Sequence, residues 1–370
     1  KDKLGACPYE KLLMEATVYG VLCMSLLAGV AAAGEADIVT ERVFGPEIQG
    51  KYKHPASIAE LQNGDLYIAY YGGSGEYDDD SGVYGTRKAK GQAKWSAPQR
   101  IKPAPQWPEG NAVVWQAPDG VVWLFSVVRL AATWSTSRIM VRTSPDGAHT
   151  WSAPAALTTE AGTMVRGKPI VVANGDYLLP IYHETGNDPE WVGPDTASLF
   201  LRYDVRRKQW SETNRIHSRL GNLQPAVAML TPDHLICYCR RGGDYQPRKD
   251  GYLVRSESRD GGKTWSPGTD SHFPNPNAAV DFLRLTNGHL LLIYNDSMKE
   301  RTPLTAALST DNDKTYAHRR NLAEGRGDFA YPFAIQTRDG KVHVVYTSER
   351  RTVINHAAFE EGALFARKAR

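Results

Sequence analysis

Trp95, Trp151, Trp210, Trp265 and Tyr316 follow one another at intervals of 56, 59, 55 and 51 residues. Around three of them the sequence nearly repeats: SPDGAHTW ending at Trp151, SRDGGKTW ending at Trp265 and STDNDKTY ending at Tyr316. A period of this size, built from short strands, marks radially repeated sheets more often than a helical solenoid. The period therefore fixes where every other residue can sit.

Each unit opens with an apolar strand: PASIAEL from Pro55, AVVWQA from Ala112, PIVVA from Pro169, PAVAML from Pro225, AAVDFLRL from Ala278 and PFAIQT from Pro332. A tight turn follows, such as Asn63-Gly64, Asp119-Gly120, Asn174-Gly175, Asn287-Gly288 or Asp339-Gly340. These dipeptides supply the positive φ that a two-residue hairpin needs. A longer second strand and a third strand lead to the aromatic marker. Six such units predict an all-β chain, a six-bladed β-propeller, with the stretch from Ile38 closing the ring as an outer strand. The Ser-x-Asp turns read as structural, their side chains bonding local backbone N–H groups while the marker aromatic packs across its hairpin.

Residues 1–33 read as a signal peptide or N-terminal apolar segment, and residues 34–370 as one propeller domain. The run Val18 to Ala33 is uncharged, too short for a comfortable membrane span, and ends in three alanines. A secreted or periplasmic protein is expected, with no stable membrane insertion once the signal is cleaved. Cys237 and Cys239 share one strand face, where a bridge would be strained, and are expected as buried thiols. With 44 basic and 41 acidic side chains the charge is nearly balanced, which argues against a nucleic-acid partner. No P-loop, dinucleotide fingerprint or zinc spacing is present, and neither a cofactor nor a metal is assigned.

Propeller geometry brings the starts of the innermost strands, the ends of the second strands and the starts of the third to one mouth. The blade-opening residues are His54, Asn111, Lys168, Gln224, Asn277 and Tyr331, all polar although each precedes an apolar strand. Second-strand ends add Arg129, Glu184, Arg240, Arg241, Asn295, Asp296 and Glu349. Third-strand starts and their loops add Glu76, Asp78, Asp79, Asp80, Arg138 and Arg301. Convergent polar groups in a concave site mark a small-molecule site.

With three such Asp boxes at propeller spacing, the chain from about His54 to Phe359 resembles the sialidase (neuraminidase) superfamily, especially its bacterial Asp-box, or BNR-repeat, branch. The resemblance implies an arginine triad for a substrate carboxylate, a tyrosine nucleophile with a glutamate partner, and an aspartic acid/base on a first-blade loop. It places Arg240 and Arg301 as two triad arginines and Tyr331 as the nucleophile. One of Asp78, Asp79 and Asp80 falls where the acid/base would lie, with Asp80 favoured. Two departures stand out. The slot of the remaining arginine reads His54-Pro55-Ala56, and the glutamate slot holds Gln224. A neutral amide cannot accept the phenolic proton, and Glu184 is the substitute expected from its place at the rim.

Two arginines at one mouth would bind a carboxylate bidentately. The leading expectation is an exo-acting glycoside hydrolase of the sialidase type, removing a terminal acidic sugar from a glycan. Tyr331, Asp80, Asp79, Glu184 and His54 are the catalytic candidates. Arg240, Arg301, Gln224, Lys168, Asn111, Asn277 and Asn295 are the substrate-binding ones. Two alternatives use the same residues: a uronate-specific lyase with His54 and Tyr331 as its base and acid, or a glycan-binding propeller without catalysis.

Overall fold

The computed structural model describes residues 37–365 except 49, 103–106 and 188–190, so the apolar segment expected to be a signal lies outside the described residues. Six antiparallel sheets are arranged as the blades of a β-propeller, four of them built wholly in sequence order as four strands. Blade one is Tyr52–Glu60, Leu66–Gly73, Gly82–Lys88 and Gln99–Arg100, and blades two, four and five follow the same order. In blade six the strands Ala330–Gln336, Val342–Ser348 and Val353–Phe359 take Val39–Phe44 as the outer strand, as expected. That strand comes from the other end of the chain, so pairing it closes the ring.

Blade three departs from the expected division. Its innermost strand is split into Thr163–Val165 and Ile170–Val171, both pairing with Tyr177–His183. The blade thus opens before Pro169, and the segment 166–169 leaves the ladder at the axis. Lys168-Pro169 imitates the polar-Pro openings of other blades, which misplaces the strand start by several residues.

The Asp-box turns are structural, as read. In the second, Asp260 Oδ1 accepts from the backbone N–H of Lys263 (3.0 Å) and Thr264 (2.9 Å), while Oδ2 accepts from the Thr264 hydroxyl (2.6 Å). Burial is the largest single influence on Asp260 and opposes its ionisation, but the hydrogen bonds from Thr264, Ser258 and Lys263 together outweigh it and hold the carboxyl down at about 2. The marker aromatics do something the sequence does not reveal: they pack on the preceding blade, not only across their own hairpin. Trp265 stacks on Phe200 of blade three at 4.2 Å, Tyr316 meets Phe273 of blade four at 5.0 Å, and Trp151 meets Tyr67 of blade one at 6.3 Å. Trp95 of blade one lies edge-on to His356 of blade six at 5.6 Å, which carries the series across the ring closure.

Cys237 and Cys239 are free, buried thiols 3.9 Å apart. Among the described residues no helix is long and apolar enough to cross a membrane. Because Trp265 is buried against the preceding blade, Trp265→Ala is expected to cost about 3–5 kcal/mol through loss of a large buried ring. A urea denaturation series on the purified protein measures it.

Candidate active site

Four innermost strands carry a bulge at the same place. The ladder slips between Lys53 and Ala56, Gly110 and Val113, Leu223 and Ala226, and Ala330 and Phe333. A bulge frees a residue from pairing and re-aims its side chain; in three of the four a proline, lacking an N–H for the ladder, helps fix the slip. The residues so released are His54, Asn111, Gln224 and Tyr331, and all four line one axial cavity. Gln224 and Tyr331 (both φ +56°), together with Asn277 (φ +57°), adopt the left-handed conformation, which costs a non-glycine residue roughly 1–3 kcal/mol. Glu76, Glu184 and Arg240 complete the polar lining, against walls that include Tyr71, Tyr77, Trp134, Tyr182 and Tyr245.

Tyr331 is the centre of this arrangement. Its hydroxyl accepts from Arg240 Nη1 at 2.8 Å and from Gln224 Nε2 at 3.3 Å. The guanidiniums of Arg301, Arg166 and Arg240 lie 5.5, 5.6 and 5.9 Å from its ring centroid. Burial by itself raises the phenol pKa, but Arg240, Arg301, Arg351 and the Gln224 amide outweigh it, and the net direction is downward. The enclosed phenols of Tyr52, Tyr71 and Tyr182 go the other way because burial dominates there.

Asn277 holds two of these cations. Its Oδ1 accepts from Arg240 Nε at 2.6 Å and its backbone carbonyl accepts from Arg301 Nη2 at 3.1 Å. Arg240 also reaches the Tyr245 hydroxyl (2.9 Å) and Gln224 Oε1 (3.2 Å). Arg240 is therefore committed to the protein, whereas the Arg301 guanidinium uses only Nη2, on the Asn277 carbonyl, among the described residues.

Sequence reasoning missed Arg351. It ends a run of three left-handed residues, Glu349, Arg350 and Arg351, just past the second strand of blade six. It pairs with Glu76 and donates to the Tyr52 hydroxyl at 3.2 Å. Arg351 thus supplies a fourth guanidinium near Tyr331, on the side where the blade-one opening has His54 instead of arginine. A charged run after a strand end was the available signal. Arg166 was missed for the reason given above, the split strand of blade three.

His54 is buried, its Nδ1 bonded to the Thr347 hydroxyl at 2.8 Å and its ring edge-on to Tyr331 at 4.1 Å. Burial first, and then the four arginines, push its pKa well below the ordinary value, so the imidazole is neutral. Nε2 has no partner among the described residues. Glu184 keeps part of its surface open to the cavity but is enclosed by protein. Burial raises its carboxyl to about 7 against the opposing pull of Arg240.

Several expected site residues lie elsewhere. Asp80 turns back onto its own loop, accepting from the Ser74 N–H (2.9 Å) and hydroxyl (2.7 Å), and these bonds hold its carboxyl below the usual range. Asp79 is exposed on that loop, and neither lines the cavity. A carboxylate that is ionised and turned away is poorly placed as a proton donor in this geometry; Glu76 is the acidic residue of that loop which reaches the mouth. Lys168 pairs with Asp281 at 2.6 Å rather than with Glu184, and lines a separate groove with Trp115 and Met229. Asn295 donates to the carbonyls of Phe329 (2.9 Å) and Pro303 (3.3 Å), bracing loops instead of facing the cavity. Asn111 does line it, donating to Val165 O (3.0 Å) and the Tyr182 hydroxyl (3.2 Å). Arg241 is wholly internal, bonded to four backbone carbonyls, those of Gly242, Asp244, Gln246 and Asn275.

The profile of the BNR repeat-like domain family matches residues 64–344. The chain belongs to that family. No curated protein matches this BNR repeat-like chain. Among solved structures it is similar to a Hadza microbial sialidase, with a TM-score of 0.73 at 17% identity, covering 88% of this chain and 69% of that one. A Dyadobacter fermentans protein of unknown function gives 0.71 at 18% identity, covering 88% and 99%. The intramolecular trans-sialidase from Ruminococcus gnavus, solved with oseltamivir carboxylate, gives 0.70 at 11% identity, covering 88% and 98%. At these identities the likeness establishes the sialidase fold and leaves the chemistry to this chain's own residues.

The cation ring makes a spectroscopic prediction. An alkaline absorbance titration of wild type minus Tyr331→Phe should reveal one phenol ionising below the ordinary tyrosine value near ~10. A difference curve centred above that value would contradict the electrostatic account.

Proposed function

We propose that this protein is an exo-acting glycoside hydrolase that removes a terminal acidic sugar from a glycan. The observation that carries the reading is the lowered, arginine-ringed phenol of Tyr331 at the axial mouth. Near it, Arg166, Arg240, Arg301 and Arg351 face only Glu76 and the partly neutral Glu184 among the anions lining the cavity. An excess of guanidinium charge favours an anionic substrate group, and the fork geometry of arginine suits a carboxylate. Arg301 and Arg351 are the residues with N–H groups to offer it, while Arg240 holds the phenol.

The chemistry follows from this division. Glu184, protonated up to about 7, gives its proton to the glycosidic oxygen as the bond from that oxygen to the anomeric carbon breaks. The Tyr331 oxygen, as the phenolate that the arginine ring favours and with its proton already released to solvent, bonds to the same carbon. Glu184, now a carboxylate, takes a proton from water, whose oxygen displaces Tyr331 and releases the sugar. A phenol suits this role because a carboxylate nucleophile would be repelled by the substrate's own carboxylate. Glu184 therefore serves as acid and base, in place of the Asp80 expected from resemblance.

A second reading has its own support. His54 is neutral, touches Tyr331 edge-on and has an unpartnered Nε2. In β-elimination from a uronate, one of this pair would take the proton alpha to the carboxylate and the other would protonate the leaving oxygen, with arginines neutralising the carboxylate. The apolar run Val18–Ala33 supports a secreted or periplasmic setting for either reaction.

A panel of acidic oligosaccharides with mass-spectrometric detection separates the readings. Products heavier by one water in sum support hydrolysis, an unsaturated uronate supports elimination, and binding without either product overturns both. Under the hydrolase reading Tyr331→Phe should lower kcat by about 10³-fold or more. The acid must be protonated, so kcat/KM should fall as pH rises through about 7, and Glu184→Gln should abolish that limb along with most of the activity.

A further inference from the structure

We infer that Arg166 is a positioning residue for Tyr331, holding the left-handed bulge that presents the phenol and placing a cation beneath its ring. The inference rests on the hydrolase reading of this site and adds to it a residue from the opposite side of the axis.

The geometry is specific. Arg166 leaves the ladder where the innermost strand of blade three is split, between Val165 and Ile170. Gly167 follows it, and a Cβ there would sit 2.4 Å from the Pro225 carbonyl oxygen, so the chain can cross the axis at this point only without a side chain. Arg166 Nη2 donates to the backbone carbonyls of Tyr331 (2.8 Å) and Pro332 (2.7 Å), 165 and 166 residues away in sequence. Its Cζ lies 5.6 Å from the Tyr331 ring centroid and 5.2 Å from that of Phe333. Tyr331 is left-handed and sits within the bulge. A strained residue needs surroundings that over-determine it, and two bonds from one nitrogen of a rigid, planar guanidinium to consecutive carbonyls do so.

A purely structural role fits less well. Arg166 is buried, and its Nε has no partner among the described residues. Burial drags its own pKa to about 10, against the pull of Asp281, Tyr331 and Tyr182. A buried charge held only for stability is often replaced without loss by an apolar side chain of similar volume. Nearby Lys168 has a counter-ion in Asp281, whereas the groups Arg166 meets directly are the two carbonyls and the rings of Tyr331 and Phe333. The charged or titratable groups around the Tyr331 phenol are then Arg166 below it and Arg240, Arg301, Arg351, His54 and Tyr182 around it.

The test uses ring-labelled tyrosine NMR, with the Tyr331 signal identified by its loss in Tyr331→Phe, alongside steady-state kinetics. Arg166→Met should fold, raise the Tyr331 titration by about one unit or more, and lower kcat at least ~10-fold with KM within ~3-fold. Arg166→Lys keeps the charge but loses the rigid planar guanidinium, so its titration should stay near wild type while kcat remains reduced. Lys168→Met, which removes the neighbouring cation, should lower stability without moving the Tyr331 titration. A folded Arg166→Met with an unmoved Tyr331 titration overturns the inference. If Arg166→Met fails to fold, an Arg166→Lys protein with wild-type kcat overturns it instead. Failure of the hydrolase reading is a separate result: no substrate turns over, yet the titration still decides the role of Arg166.

Discussion

The hydrogen bond from Arg240 to the Tyr331 hydroxyl is the interaction on which the site depends. It joins the second strand of blade four to the opening of blade six, across the propeller axis. Every other contact of Arg240 serves to aim it: Asn277 takes Nε, Tyr245 takes Nη2, and Gln224 shares Nη1. A guanidinium so tied cannot swing toward solvent, and its charge stays beside the phenol. In this enclosed place the attraction is stronger than it would be at a surface, since little water screens it. The same enclosure would make an unpaired phenol or arginine costly, so each group requires the other.

This contact exists only if the ring closes in register. Tyr52, His54 and Glu76 belong to blade one, and Tyr331 and Arg351 to blade six. They meet because the strand Val39–Phe44 completes blade six before the chain enters blade one. The marker aromatics add to this. Each packs on the preceding blade, and the contact of Trp95 with His356 carries the pattern over the seam. Glu41 on the closing strand accepts from His356, Lys88 and Trp95, fastening blades six and one at one carboxylate. Residues that look like repeat markers in one dimension are the interblade contacts that bring the mouth together in three.

Much of this was legible in the chain. The period gave six units, the Asn-Gly and Asp-Gly dipeptides placed the hairpins, and polar residues ahead of apolar strands pointed to His54, Asn111, Gln224 and Tyr331. What was hidden follows from two physical causes. Bulges and breaks are local trades between pairing and side-chain aim, and they leave weak traces; Arg166 was therefore passed over for Lys168, whose Pro169 resembled an opening. Loop side chains choose partners by hydrogen-bonding capacity, which composition does not record. Asp80 looked like an acid on a rim loop, but two donors of Ser74 lay within its reach, while Arg351 found Glu76 from a turn that no periodicity marks.

The amide at position 224 then has a physical sense. A carboxylate there would lie beside the Tyr331 hydroxyl, where a negative charge opposes ionisation of the phenol and cancels part of Arg240. Gln224 instead donates to the hydroxyl and accepts from Arg240, so it orients both while adding no charge. The cost is the loss of a base next to the phenol. The cation ring lowers the phenol pKa directly, and in the proposed hydrolase the proton-transfer role passes to Glu184, whose burial raises its carboxyl to about 7. In the proposed hydrolase, charge and proton transfer thus fall to different groups lining one cavity: arginines with the phenol, and a buried glutamic acid for the leaving oxygen.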